Sequence, residues 1–365
     1  MRIVSVDPFI VHVPLGGEVA DAMSRLRVWG YPGLTIATDE GIVGTGFTGT
    51  QGHGDTLIRD AIAEGYAPLL LGQDPTYIRA LAERLQGSML HWVGRAGVTT
   101  MALAAVDIAL WDIVAQAAGL PLCQMLGGHK VETTPAYNTD GGWLHLSDDD
   151  LLASTSRLVE EGWRAVKVKV GHADPARDLR RVRAVRRLLG DDIALMIDAN
   201  HRWDRATALE WAPRFDDLGL RWLEEPLHPD DLPGHAHLAA RIRTPIALGE
   251  HLYSRLAFRD AVDQRAVTYI QVDVTRVAGV SEWLDVAGLA AAHGLPVVPH
   301  AGDMGQVHQH LVAATPAATA IEYIPWTREL FEDPITARDG CVLVPQRPGA
   351  GTAMRPQMFA AYRVG

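Results

Sequence analysis

The chain has 365 residues, 48% of them hydrophobic and 21% charged, with a formal net charge of −11. That length holds one large domain plus a smaller one, and the composition is that of a globular protein rather than a disordered or fibrous one. The acidic balance argues against nucleic acid or an anionic membrane surface as partner, and two cysteines, Cys123 and Cys341, without metal-ligand spacing fit a reduced, cytoplasmic protein.

The N-terminus MRIVSVDPFIVHVPL alternates as a strand does and lacks the charged-then-apolar order of a signal peptide. No apolar run is expected to reach the length of a bilayer span. Residues 1–50 read as a meander of strands, with Asp39-Glu40-Gly41 as a hairpin turn and the polar stretch 16–28 as a mobile loop. Residues 55–118 switch to helical periodicity and make three helices, the last apolar on all sides and therefore buried. Strands followed by helices describe an α+β domain over residues 1–125.

After Pro121 and the Gly127-Gly128 pair, strand and helix alternate. Strands are expected at 133–142, 165–170, 193–200, 220–226, 245–251, 266–275, 295–300 and 319–324, with a first helix at 148–162. Eight strands with short helical connections are the count of an α/β barrel, here over residues 126–328. The arginine-rich helix at 177–187 reads as a solvated outer face. Residues 329–365, rich in Pro, Gly and Arg, are expected to pack back on the first domain.

Charge gathers where the strands end. Asp198, Glu224 and Glu250 close three successive strands at equal intervals of 26 residues, about one strand, one helix and two loops. One such acid is as readily a helix N-cap. Three in step point to the barrel mouth, where they would repel one another unless a hard cation lay between them, and all-oxygen ligation favours Mg2+. In AVKVKV, Lys167 and Lys169 share one face while Val166, Val168 and Val170 face the helices, so the lysines point inward. Two neighbouring ammonium groups disfavour each other, so the pKa of Lys169 is expected to fall toward that of a base. Opposite them, Asp273 and His300 end adjacent strands as an acid–imidazole pair, and Glu322 ends the eighth as a hydrogen-bond donor if its acidic surroundings protonate it.

These residues resemble the enolase superfamily, and within it the mandelate racemase subgroup, most closely its acid-sugar dehydratases. The resemblance spans essentially the whole chain and rests on the combination of Lys167 and Lys169, the acids Asp198, Glu224 and Glu250, the Asp273–His300 dyad, Glu322, and the segment MALAAVDIALWDIVAQAAGLPLCQMLGG. It implies a modified TIM barrel, (β/α)7β, with an N-terminal α+β capping domain, and assembly into a homo-oligomer, for which Trp29, Trp92 and Trp326 are surface candidates. It also implies Mg2+ held by Asp198, Glu224 and Glu250, a metal-stabilised enediolate, and Lys169 and His300 on opposite faces of the reacting carbon. Lys167 would contact the substrate carboxylate and Glu322 would hydrogen-bond it. Asn200, His201, His251 and Asn138 are expected substrate contacts, within a polar set that adds His53, Thr139, Asp140, Trp143 and Asp303. That polarity matches a polyhydroxylated acid, so the leading expectation is a dehydratase of an aldonate or aldarate. A racemase or epimerase of a 2-hydroxy acid uses the same residues. A non-catalytic, metal-binding relative would have a broken ligand set, and none of these residues is missing. In this family, cap loops choose the substrate, here near 16–28 and 50–56.

Overall fold

The protein, described by a computed structural model over residues 1–128, 131–301 and 305–364, opens with an antiparallel sheet of β1 (Ile3–Ala20), β2 (Arg25–Thr38) and β3 (Val43–Phe47). β1 pairs with β2 from Ile3–Thr38 to Ala20–Arg25, with an irregularity between Pro14 and Val19. Most of the stretch expected to be a mobile loop is therefore strand. Backbone pairing does not require apolar side chains at an exposed hairpin end, so the polar sequence concealed it. Only residues 21–24 turn, with Asp21 Oδ1 accepting from the amides of Met23 and Ser24 at 2.7 Å each.

Helix α1 (Asp55–Asp60) passes through a π-helical turn at Ala61–Tyr66 into α2 (Ala67–Leu70), followed by α3 (Ile78–Leu90) and α4 (Val98–Ala117). α4 packs so closely on the sheet that a Cβ at Gly46 would lie 1.9 Å from the Ala105 carbonyl oxygen. Its 20 residues are long and apolar enough to cross a membrane, which corrects the expectation that no run reaches that length, but 83% of its most apolar 18-residue window is buried inside the fold. The apolar character serves a helix covered on all sides: Leu34 and Ile36 of the sheet, Ile58 and Ile62, and Leu81 and Leu85 form one core with Val106, Leu110 and Ile113.

A short α5 (Leu122–Met125) leads to the alternating half: β4 (Thr133–Asn138), α6 (Asp148–Glu160), β5 (Ala165–Lys169), α7 (Pro175–Leu189), β6 (Ala194–Asp198) and α8 (Arg205–Trp211). Then follow β7 (Leu223–Glu224), α9 (Leu232–Ala239), β8 (Ile246–Leu248), α10 (Arg255–Asp263), β9 (Tyr269–Ile270), α11 (Val280–Ala292), α12 (Gly305–Ala314) and β10 (Ile321–Tyr323). β4 to β9 are parallel neighbours in chain order, and β10 pairs with β4 to close the ring. Between β9 and β10 the expected strand at 295–300 is reduced to bridges from Val297 to Ile270 and Ala318. Pro296 and Pro299 flank it and remove two ladder donors, which explains the shortening. The result is a modified TIM barrel with an N-terminal sheet-and-helix cap.

Outward residues such as Val166, Val168, Leu195 and Ile197 pack beneath the helices. Arg181 of α7 is an exception to the solvated face expected there: it is buried, and its guanidinium donates to the carbonyls of Leu146 and Trp143 and to Asp148. The chain ends with β11 (Ala337–Arg338), β12 (Cys341–Leu343) and α13 (Pro356–Tyr362). β12 pairs antiparallel with the start of β4, and α13 returns to the cap, where Phe359 meets Phe9 edge-on at 5.2 Å. Of the three tryptophans singled out, Trp92 is exposed, whereas Trp29 and Trp326 pack edge-on against each other at 6.0 Å.

Candidate active site

Strand register brings the central charges together. β5 and β6 pair Lys169 with Asp198, and β6 and β7 pair Asp198 with Glu224, so these three stand at one level of the mouth. The equal intervals in sequence carry only that far. Glu224 is opposite Ala247 of β8, and Glu250 lies three residues further on, beyond Gly249, where a Cβ would sit 2.4 Å from the Gln271 backbone.

The two lysines do point inward. Lys167 Nζ lies 2.7 Å from Glu224 Oε1, 2.9 Å from Glu322 Oε1 and 3.6 Å from Asp198 Oδ2, with the Tyr137 ring 5.5 Å away. Lys169 Nζ donates to Asp198 Oδ2 at 2.5 Å and sits 5.4 Å from the centre of the Trp143 ring. Burial, the largest single influence, disfavours the Lys169 cation and Lys167 adds to that, but the carboxylates around it, Asp198 first and then Asp21 and Glu224, together hold its pKa above the ordinary lysine value. The expected fall is thus reversed in this arrangement, because three carboxylates close around two ammonium groups. Glu322 is likewise corrected: burial favours its neutral form, yet Lys167 and His300 hold its carboxyl well below the usual range, so it is an acceptor. Thr139 Oγ1 donates to it at 2.5 Å and the Ala301 amide at 3.3 Å.

On the other flank, His300 Nδ1 and Asp273 Oδ2 are 2.8 Å apart, which leaves His300 Nε2 facing the site, 3.5 Å from Glu250 Oε2. Burial opposes the imidazolium, but Glu250 and Asp273 raise the His300 pKa to about 9. Asp273 is held in turn by the Thr275 amide and hydroxyl, each at 2.8 Å.

The three acids suit a hard divalent cation. Burial, with the Asp198 charge beside it, pushes the Glu224 carboxyl up to about 8. A carboxyl driven that far toward neutrality by burial and a neighbouring charge is what a shared cation relieves, and oxygen is the only donor the three residues offer. Trp222, which the sequence reading passed over, donates from Nε1 to Glu224 Oε2 at 2.9 Å. Its signal was present: it stands two residues before Glu224, and so on the same inward face.

Glu250, Asn200, His201 and His251 line one cavity of about 480 Å3 together with His53, Gln51, Ser24, Trp29 and Arg276. Both cap turns therefore reach the mouth, and Gln51 Nε2 joins them by donating to Ser24 Oγ at 3.0 Å. Arg276 and Glu225, which contacts both histidines, were also missed. Asn138 lies elsewhere: its Oδ1 accepts from the Asp140 amide at 2.8 Å, and it lines a separate cavity with Arg157, Trp163 and Arg338. Asp303 is outside the described residues.

The sequence pattern described as "Enolase C-terminal domain-like" matches residues 150–358, and that of the "Mandelate racemase / muconate lactonizing enzyme, N-terminal domain" matches residues 22–127. The chain belongs to the enolase superfamily, in its mandelate racemase subgroup. Among superfamily relatives, it is 39% identical over 354 residues to the L-talarate/galactarate dehydratase of Salmonella typhimurium, covering 95% of this chain and 88% of that protein. It is 32% identical over 335 residues to the arabinonate dehydratase of Saccharolobus solfataricus, covering 90% and 89%. Among solved structures, the L-talarate dehydratase of Polaromonas sp. JS666, complexed with Mg and L-glucarate, superposes with a TM-score of 0.92 at 38% identity over 100% of this chain and 98% of that one.

Proposed function

We propose that this superfamily member is a Mg2+-dependent hydro-lyase of an acid sugar, with a dicarboxylic aldarate such as galactarate or L-talarate as the preferred class. The observation that carries the reading is the flanking of one acid cluster by two proton-transfer groups, Lys169 against Asp198 and His300 against Glu250. Two of the relatives support it, since the L-talarate/galactarate dehydratase and the arabinonate dehydratase act on sugar acids by name.

Mg2+ held by Asp198, Glu224 and Glu250 would act as a Lewis acid, stabilising negative charge as it builds on the substrate carboxylate. Lys167, buried among carboxylates, contributes a fixed positive charge toward the same carboxylate, and Glu322 keeps that ammonium in place. Lys169 and His300 take and return protons from two sides of the carbon next to the carboxylate. Asp273 holds the proton of the His300 pair at Nδ1, so that Nε2 carries the exchange. Loss of the 3-hydroxyl as water, with His300 as acid, gives an enol that takes a proton at C3 and tautomerises to the 2-keto-3-deoxy product. Asn200, His201 and His251 line the cavity into which a hydroxylated chain would run.

A racemase or epimerase needs the same two flanking groups, so the test separates the outcomes. Protein with Mg2+ is incubated with aldarates and aldonates in D2O. A 2-keto acid from an aldarate is the expected result. Exchange of the C2 proton without keto acid would replace the lyase by an epimerase, and neither reaction with any acid sugar would overturn the substrate class.

A further inference from the structure

Next to the three acids, a second set of ligating side chains converges. His251 Nδ1 lies 3.0 Å from Glu225 Oε1, and His201 Nε2 lies 3.2 Å from Glu225 Oε2. The two imidazoles stand perpendicular with centroids 4.2 Å apart, and one donor atom from each of the three residues lies within 4.8 Å of the others. Ligands adjacent to one another on an ion with bonds near 2.1 Å are separated by about 3 to 3.5 Å, so the two short spacings, which run to opposite Glu225 oxygens and of which the His251 one is also a hydrogen bond, match an ion held by both histidines and the whole carboxylate.

Two further observations single the cluster out. The Glu225 side chain is only 3% exposed, yet its Oε2, although 3.2 Å from His201 Nε2, meets no donor in hydrogen-bond geometry, and neither does the buried Nδ1 of His201 meet a partner. An unsatisfied carboxylate oxygen in such a place is costly unless a cation meets it. The backbone is also strained here: Asn200, His201 and Glu225 have φ values of 42°, 58° and 40°. Such conformations are unfavourable for non-glycine residues and survive where side-chain placement matters. Here they turn the side chain that follows the ligand Glu224 toward the histidine that follows the Asp198 strand.

We propose that His201, Glu225 and His251 form a second metal site, for a divalent ion of the zinc, cobalt or iron(II) class. Two imidazole nitrogens and one carboxylate oxygen suit such borderline ions and not Mg2+, which prefers the neighbouring all-oxygen set. His201 and His251 both line the 480 Å3 cavity, so the remaining coordination positions open toward water or substrate oxygens. The inference goes beyond the lyase reading and does not depend on it.

The experiment uses full-length protein kept in saturating Mg2+ and titrated with Co2+, followed by calorimetry and by the visible absorption of the bound cobalt. One equivalent of Co2+ is expected to bind without releasing Mg2+. His201→Asn, which tolerates the left-handed backbone, and His251→Gln should each weaken it roughly 100-fold, whereas Asp198→Asn should leave it in place. Absence of this equivalent, indifference to both histidine variants, or its loss in Asp198→Asn would overturn the proposal. Should the variants fold poorly, X-ray absorption at the cobalt edge of the unaltered protein decides: imidazole scattering supports the site, and an all-oxygen shell refutes it.

Discussion

Two layers of the same barrel, two residues apart on the same strands, differ completely in chemistry. The lower inward layer consists of Tyr137, Ala165, Met196, Trp222, Ala247, Val298 and Ala320, all buried and packed on one another. Two steps toward the mouth, the same strands present Thr139, Lys167, Asp198, Glu224, His300 and Glu322. Both layers are largely buried, but the lower one gains from burial while the upper one holds charge at a cost that close pairing only offsets. The barrel thus concentrates its stability below and its function above, and the period of two along a strand lets one short run serve both.

The division is tested most severely at the mouth. Lys169→Met and His300→Asn should each lower turnover by on the order of 10^3-fold, the weight of a positioned acid–base group, while circular dichroism shows the fold intact. An active His300→Asn protein would remove His300 from the chemistry.

Two histidines ten residues apart sharpen the contrast next. His300, among carboxylates, is raised to about 9, whereas His310, buried in α12 with its Nδ1 accepting from the Cys123 amide, is pushed down to about 3 by burial alone. A folded-state value below the unfolded one means that the stability contributed by neutral His310 is present above about pH 6.5 and is lost as pH falls toward 3. Acid melting should therefore show a loss on the order of 4 kcal/mol that His310→Gln abolishes. Identical acid profiles for the two proteins would place that loss elsewhere.

In the lower layer, Met196→Ala should cost about 2–5 kcal/mol in denaturant unfolding while each folded molecule keeps its turnover. A proportional fall in turnover would erase the distinction between the layers. The smallest effect is expected where the layers touch. Trp222→Phe keeps the aromatic packing but removes the donor to Glu224 Oε2, and Mg2+ affinity measured calorimetrically should weaken about 10-fold or somewhat more.

Much of this was legible in the chain. Alternation in AVKVKV sent Lys167 and Lys169 inward, and equal spacing set Asp198 level with Glu224, because strand periodicity and the length of a strand–helix unit are local properties. Seven of the eight expected barrel strands and the buried helix Val98–Ala117 were legible for the same reason, the one at 295–300 surviving only as bridges.

The electrostatic state of those residues was not. Whether Lys167 and Lys169 are weaker or stronger bases than free lysine depends on how many carboxylates meet them, and that number is set by β5, β6, β7 and β10 closing into a ring. The long β1–β2 hairpin, the Gln51–Ser24 contact between the cap turns, and the partnership of Glu225 with His201 and His251 are contacts between residues distant in sequence. Sequence determined which side chains stand at the strand ends, since that follows from period and length; tertiary structure alone decided their charge and their partners, since Coulomb interaction and coordination depend on distance through space.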